Sequence, residues 1–337
     1  MKRDRRPTLK DVAALAGVSP ITVSRALRDP RMVSEDLRAR ITASIRQIDY
    51  TPDPNASALA SARTNVLAVM IPSLTNIVFS DVMRGIYDAV EDSSYQVQIA
   101  NVRYSPVAEE RTLRMFLSQR PAAVIMTGVD QTKAARELME RCGRPVIQIM
   151  EATDAPVDMA VGFSHYEAGR AVTRHLLDSG FRRIGFLGAR LDPRSLRRIK
   201  GCQDVLQEEG LSDPSLLEAT QAPSSVALGG HLLRRLMARR PDIDAVLCVN
   251  DDVALGALFE CQRSGVAVPG RLGIAGFNDL DGAAVACPSL TTVRTPRYEI
   301  GRRAVGMAIA AIEGTSIIDR RLDLGFEIVA RESTRRL

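Results

Sequence analysis

Leu9-Lys10-Asp11-Val12-Ala13-Ala14-Leu15-Ala16-Gly17-Val18-Ser19-Pro20-Ile21-Thr22-Val23-Ser24-Arg25-Ala26-Leu27 is the stretch that decides how this chain is read. Leu9, Val12, Ala13 and Ala16 share one face of a helix, and Thr8 followed by Asp11 gives that helix a capping-box-like start. Gly17 ends it with a backbone that tolerates a turn. Ser19-Pro20 restarts the chain as N-cap and first helical residue, and Asp29-Pro30 breaks the second helix just after Leu27. Two crossing helices need a small residue at the contact, a glycine in the turn and apolar anchors on both; Ala13, Gly17, Val18 and Val23 supply these. The pattern predicts a helix-turn-helix whose second helix presents Pro20, Ile21 and Arg25 to base edges, with Thr22 and Ser24 in reach of phosphates. Ser34 caps a third, amphipathic helix through Ile41, Ile45 and Ile48.

Charge supports this reading. Residues 1–62 hold 11 Lys and Arg against 7 Asp and Glu, while the rest of the chain holds 34 against 33. The excess that makes the net charge +5 is therefore concentrated where a polyanion would bind. The five cysteines, Cys142, Cys202, Cys248, Cys261 and Cys287, are widely spaced with no C-x-x-C pair, so buried structural thiols are expected rather than a metal cluster or a disulfide framework. No run approaches the roughly eighteen apolar residues of a membrane span. The basic start is followed by Pro7 and a polar segment rather than an apolar signal core, so a cytoplasmic protein is expected.

A length of 337 residues calls for more than one folding unit. Pro52-Asp53-Pro54 marks a linker, and 55–62 is Ala/Ser-rich with Leu59 its one large apolar residue, a segment expected to order only against a partner. From Val66 onward the pattern changes. Apolar runs at 66–71, 96–100, 123–126, 146–149, 183–187, 245–249 and 273–277 alternate with helical stretches, as in parallel βαβ sheets. Residues 1–52 are read as the helix-turn-helix domain, 53–63 as a hinge and 64–337 as an α/β domain of two doubly wound lobes. The first lobe covers about 64–162 and the second about 163–290, with the C-terminal segment crossing between them. Ligands are expected in the cleft at the carboxyl ends of the strands. Polar residues there include Ser73, Asn76, Phe79 beside them, Thr127, Glu151, His165, Arg194, Arg198, Asn250 and Asn278.

The headpiece closely resembles the lactose-repressor (LacI/GalR) family, whose signature T-L-x-D-V-A-x-x-A-G-V-S-x-x-T-V-S-R is matched at every fixed position from Thr8 to Arg25. The likeness runs on through Tyr50-x-Pro52 and the hinge to the closing Arg331-Glu332-Ser333-Thr334, and so covers essentially the whole chain. It implies a periplasmic-binding-protein-like sensor domain and DNA contacts at Thr8, Ser19, Pro20, Ile21, Thr22, Ser24, Arg25, Asn55, Ala56 and Leu59. Pro20 and Ile21 would read methyl groups and shape, and Arg25 a guanine. Leu59 would wedge into the minor groove, with Ala56 beside it where close approach leaves no room for bulk. It also places Ser73, Phe79, Thr127, Arg198, Asn250 and Asn278 on or beside effector-contacting positions.

Two departures narrow the effector. Many sugar- and purine-binding members carry an aspartate where this chain has Asn278, and 222–225 lacks the aromatic that some relatives stack on a ligand. A cleft with less negative charge and several arginines suits a small flexible anion. Together with the likeness to gluconate-utilisation repressors, this points to gluconate or a keto-gluconate. A neutral-sugar or purine regulator and a corepressor are the alternatives within the class, and a solute-binding protein without regulatory role the one outside it. Enzyme signatures are missing: there is no G-x-G-x-x-G after 66–71, no P-loop and no H-E-x-x-H, and the three histidines are scattered, His175 and His231 reading as helix-surface residues. No catalytic residue, metal or cofactor is expected. The expected partners are a pseudo-palindromic operator, a small effector and a second copy of the chain, with dimer contacts from helices near 79–89 and 252–263 and no coiled-coil tail.

Overall fold

The computed structural model describes residues 7–28, 32–51 and 64–336. The chain divides into two compact units, Met1–Thr64 and Asn65–Leu337. The hinge read at 53–63, with Asn55, Ala56 and Leu59, lies outside the described residues.

The first unit holds α1 (Leu9–Ala16), α2 (Pro20–Arg28) and α3 (Glu35–Gln47). Its boundaries follow from local chemistry. Asp11 accepts hydrogen bonds from the Thr8 amide at 2.8 Å and the Thr8 hydroxyl at 2.6 Å, which fixes the first turn. Gly17 sits at φ 64°, a conformation costly for any side chain, and the Val18 amide bonds back to Ala13 O at 3.0 Å. Ser34 caps α3 through the Leu37 amide at 3.4 Å. Arg40 of α3 donates to the carbonyl of Ala16 at 2.6 Å, satisfying one of the acceptors left open at the end of α1. Val12, Ala13, Ala16, Val23, Ala26, Ile41 and Tyr50 form the core, with Val18 and Ile45 packed at its margin.

The second unit is built on parallel sheets. Its elements are β1 (Val66–Ile71), α4 (Val78–Val90), β2 (Gln96–Asn101), α5 (Pro106–Ser118), β3 (Ala123–Thr127), α6 (Lys133–Arg141), β4 (Val146–Ile149), β5 (Met159–Gly162), α7 (His165–Asp178), β6 (Ile184–Ala189), α8 (Pro193–Glu208), β7 (Leu217–Thr220), α9 (Val226–Arg239), β8 (Ala245–Cys248), α10 (Asp251–Ser264), β9 (Gly273–Ala275), α11 (Asp281–Val285), β10 (Thr292–Arg294), α12 (Arg297–Glu313), β11 (Arg321–Asp323) and β12 (Glu327–Val329). One sheet runs β11-β5-β4-β3-β1-β2 and the other β7-β6-β8-β9, all neighbours parallel; β10 and β12 form a separate antiparallel pair. Strands β3, β4, β6 and β8 are buried along their whole length, which is why they read as unbroken apolar runs. The chain passes from the first lobe to the second between β5 and α7. It returns through α12, which packs on α4, β4 and β5, and places β11 on the edge beside β5.

Three helix pairs share one device. In α4 and α12, a β-carbon added at Gly85 would lie 2.1 Å from Tyr298 O, and one at Gly301 2.1 Å from Val82 O. Gly169 with Gly201 on α7 and α8, and Gly229 with Gly256 on α9 and α10, meet the facing backbone in the same way. The backbones touch because neither glycine has a side chain to hold them apart.

The closing 331–334 motif anchors the second lobe. Arg331 pairs with Asp279 at 2.8 Å, Ser333 Oγ donates to Ile274 O at 2.6 Å, and Thr334 Oγ1 lies 2.9 Å from His175 Nε2. His175 is thus a half-buried structural residue rather than the free helix-surface residue its position in the sequence suggested, because the C-terminal turn folds back onto α7. His231 is exposed as expected. All five cysteines are free, and Cys202, Cys248 and Cys261 are buried, but Cys142 is half-buried and Cys287 exposed, so burial does not extend to all five. Among the described residues no helix is long and apolar enough to cross a membrane.

Candidate functional site

On the headpiece, α2 turns an outward face of Pro20, Ile21, Ser24 and Arg25. Ile21 is 69% exposed, so it does not join the headpiece core. Arg25 stands one turn on from it and forms no ion pair or hydrogen bond among the described residues. Thr22 is half-buried: its amide donates to Ser19 Oγ at 3.1 Å and its hydroxyl lies 2.8 Å from the same oxygen. Thr8 is likewise engaged with Asp11. An exposed isoleucine, a proline and an arginine unpaired among the described residues, on one helix face, form a surface suited to base edges rather than to a protein interior.

In the second unit, a cleft forms where four helices begin at strand ends. Asn76, Phe79, His165, Arg194, Arg198, Asn250 and Asn278, all singled out in the sequence, line it together with Tyr104, Arg190, Asp192, Ser195 and Ser224. Three of these helix starts are held by a local side-chain oxygen. Asn76 Oδ1 accepts from the Val78 amide at 3.1 Å, Asp192 Oδ1 from Ser195 at 3.0 Å, and Asn250 Oδ1 from Val253 at 3.1 Å. Their outer atoms face the cleft: Asn76 Nδ2 donates to Tyr104 Oη at 2.9 Å and Asn250 Nδ2 to Ser224 Oγ at 2.9 Å.

Arginines dominate the lining. Arg190 lies 4.3 Å over the Tyr104 ring, and Arg194 stands 5.7 Å from the centre of the Phe79 ring and 3.4 Å from Asp192. Burial opposes ionisation of Asp192, yet Arg194 and the Ser195 amide hold its carboxyl below the ordinary value. Arg198 is only 9% exposed. Its Nε donates to His165 Nδ1 at 3.1 Å, its Nη1 to Val249 O at 2.5 Å, and its plane lies 3.8 Å over Phe277. No carboxylate is within ion-pair distance of it among the described residues. Burial pushes Arg198 down to about 10, which still leaves it charged at neutral pH. In the same cleft Asn278 is 2% exposed, takes φ 110°, and its Oδ1 meets no donor among the described residues. Among the described residues, a buried cation that no carboxylate touches, with Asp192 acting on it only from a distance, shares this cleft with a buried acceptor that has no donor, an arrangement suited to a ligand with both negative charge and hydroxyls.

Three sequence-selected residues stand off the cleft lining. Ser73 Oγ accepts from the Asn76 amide at 3.0 Å and serves the turn. Thr127 is buried and donates to Met70 O at 3.1 Å. Glu151 sits at the junction of the lobes, 3.6 Å from Arg197, whose fork is held by Asp130 at 2.6 and 2.8 Å. Tyr104, Arg197 and Asp130 carried no periodic signal in the sequence; the one clue to Tyr104 is its position just past β2.

Glu151 is 4% exposed and its Oε2 has no hydrogen-bond donor among the described residues. Burial pushes its carboxyl up to about 7 against the pull of Arg197, and burial raises Glu109 to about 7 in the same way against Arg194. A carboxyl raised in the folded protein favours folding below its ordinary value near 4.5, and that contribution is lost as pH rises through about 7. Glu151→Gln, which keeps the shape and cannot ionise, should therefore gain stability relative to the natural chain between pH 5 and 7 and level off above. Melting temperatures at pH 5, 6, 7 and 8 check this. A difference that stays constant across the series would mean that Glu151 titrates as an ordinary carboxyl.

A reading helix on its own compact unit, followed by a two-lobed domain with an anion-suited cleft, defines a DNA-binding transcriptional regulator with a small-molecule sensor. Residues 8–53 match the family described as bacterial regulatory proteins, lacI family, and residues 173–334 match a periplasmic binding protein-like domain. The chain is 44% identical over 329 residues to the HTH-type transcriptional regulator GntR of Pseudomonas aeruginosa, covering 98% of this chain and 96% of that one. It is 38% identical over 326 residues to the HTH-type transcriptional regulator GntR of Escherichia coli K12, covering 97% and 98%. Among solved structures, a LacI-family transcriptional regulator from Silicibacter pomeroyi superposes with a TM-score of 0.90 at 37% identity, over 98% of this chain and all of that one. The chain belongs to the LacI family of transcriptional regulators. It is a regulator and not an enzyme, and its partners are operator DNA and a small-molecule effector.

Proposed function

We propose that this regulator is a cytoplasmic homodimeric repressor released from a pseudo-palindromic operator by a sugar acid, gluconate or a keto-gluconate. The observation that carries the effector assignment is Arg198, a nine-tenths-buried guanidinium with no carboxylate in ion-pair distance among the described residues, in the same cleft as the open Oδ1 of Asn278. Arg198 and Arg194 take the carboxylate, Asn278, Asn250 and Asn76 read hydroxyls, and Phe79 packs against the carbon chain. Ser73, Thr127 and Glu151 support this lining from behind, and His165 holds Arg198. On the headpiece, Arg25 reads a guanine while Pro20 and Ile21 meet methyl groups; Thr8, Ser19, Thr22 and Ser24 lie where phosphates pass. The hinge residues Asn55, Ala56 and Leu59 complete the DNA contacts. Residues 1–52, 53–63 and 64–337 divide the labour as headpiece, hinge and sensor, and helices near 79–89 and 252–263 contribute to the dimer.

Calorimetric titration of the full chain with gluconate, 2-keto-gluconate, glucose and guanine tests the effector. The acids should bind and glucose and guanine should not; tightest binding by either neutral compound would overturn the sugar-acid reading. The sign is tested by operator binding with and without gluconate. A fall in affinity is expected, and a rise would make the acid a corepressor.

A further inference from the structure

The histidine at the first position of α7 is completely buried, and both of its ring nitrogens are engaged. The Nε of an arginine can only donate, so the 3.1 Å contact from Arg198 Nε requires His165 Nδ1 to be an unprotonated acceptor. The proton then sits on Nε2, which donates to Met150 O at 2.9 Å. These two bonds join the lobes: Met150 follows β4 in the first lobe, and Arg198 belongs to α8 in the second. Met150 takes φ 73°, a left-handed conformation costly for a residue with a side chain, at the point where its carbonyl receives the imidazole proton. Phe163 and Phe277 flank the ring at 4.3 and 5.9 Å between centres.

Arg198 is thereby held on three sides. Phe277 lies under its face, Val249 O takes Nη1, and His165 takes Nε. Its Nη2 has no protein acceptor among the described residues and is the donor left for a ligand. Arginines are commonly oriented by a carboxylate, which would fix the same geometry but neutralise the charge. An imidazole fixes the geometry without an opposing charge. We infer that His165 is a positioning residue, a neutral imidazole that sets the Arg198 fork for an anionic effector and leaves its positive charge available to that anion. This rests on reading the cleft as an anion site. Burial and the neighbouring Arg198 charge also hold the imidazole well below its ordinary value, in keeping with a ring that stays neutral.

The experiment compares His165→Gln, His165→Ala and His165→Glu in the full chain, titrated with sodium gluconate and with neutral gluconamide. Glutamine offers an amide oxygen and nitrogen in place of the ring acceptor and donor, and should lose gluconate affinity only a few-fold. Alanine should lose about tenfold or more. Glutamate should lose about a hundredfold for gluconate but far less for gluconamide, because its charge competes with the ligand's carboxylate. Equal gluconate affinity in the Glu and Gln variants would overturn the inference. Because a buried glutamate can unfold the lobe, nitrogen-15 NMR of the natural chain is the second measurement. It should show a neutral ring with the proton on Nε2 from pH 5 to 8; a proton on Nδ1, or titration near pH 6.5, would overturn the inference independently. Should the natural chain bind no sugar acid, the effector reading fails, while the NMR result still decides whether His165 holds Arg198.

Discussion

Arg198→Ala should lose gluconate binding by roughly 30-fold to several-thousand-fold, the about 2–5 kcal/mol that truncating one side of a buried charge pair costs. The size follows from burial. A guanidinium that is 9% exposed faces little competing water, so its interaction with a carboxylate is much stronger than that of a surface pair. Arg198→Lys should not rescue binding, since one ammonium cannot occupy the Val249 carbonyl, the His165 ring and the ligand at the geometry of a planar fork. Operator binding measured without effector should stay close to that of the natural chain, because the substitution is in the sensor and not on the reading helix. Melting temperature should fall less than the binding loss implies: among the described residues no carboxylate is in direct contact with this charge, and Asp192 and Glu151 act on it only from a distance, so removing it also removes a desolvation cost. Calorimetry with gluconate beside a thermal melt makes the comparison. Binding retained within threefold would remove Arg198 from the effector site.

The parts of this fold that were legible in the sequence are those whose causes are local. Thr8 with Asp11, Gly17, Ser19-Pro20 and Ser34 act within three or four residues of the helix ends they set, and α1 to α3 fall where those residues put them. The central strands of both sheets were legible because burial on two faces leaves an unbroken apolar run. The short strands β5, β7, β10, β11 and β12 were not. They span three or four residues each, as β4, β8 and β9 do, but all except β5 mix polar with apolar residues and so leave no apolar run, and β11 exists because α12 delivers it to the edge beside β5, about 160 residues away in the chain. The same limit governed the site. Residue type together with the family resemblance singled out Arg198, Asn250 and Asn278, which line the cleft, but the His165 contact that orients Arg198 spans 33 residues and the Arg197–Asp130 pair spans 67. Glu151 has the right chemistry for a ligand contact and follows the right strand. Its side chain meets Arg197 at the lobe junction because Asp130 and Glu151, after neighbouring strands, face the same turn of α8. Which polar residue contacts a ligand and which locks the lobes depends on how two sheets are set against each other, and no window of sequence carries that.

Arg25→Ala should weaken binding to the specific operator by about 1–3 kcal/mol, roughly five- to two-hundred-fold, and binding to random duplex of equal length much less. The contrast comes from what the side chain is free to do. Arg25 is exposed on the outward face of α2 with no partner among the described residues, so it contributes little to headpiece stability and its full fork is available to a guanine edge. Its neighbours on that face, Pro20 and Ile21, offer no side-chain hydrogen bond. Hydrogen-bonded discrimination therefore falls on Arg25, while a 69%-exposed Ile21 supplies methyl contact. If Arg25 were instead one more phosphate contact, specific and random duplex would lose affinity alike, and the salt slope of log K would fall by about one. Measuring both duplexes across a salt series, with the headpiece melting transition as a control for folding, separates the two roles. Equal losses on the two duplexes would assign Arg25 to the backbone and leave the base-reading role to other residues.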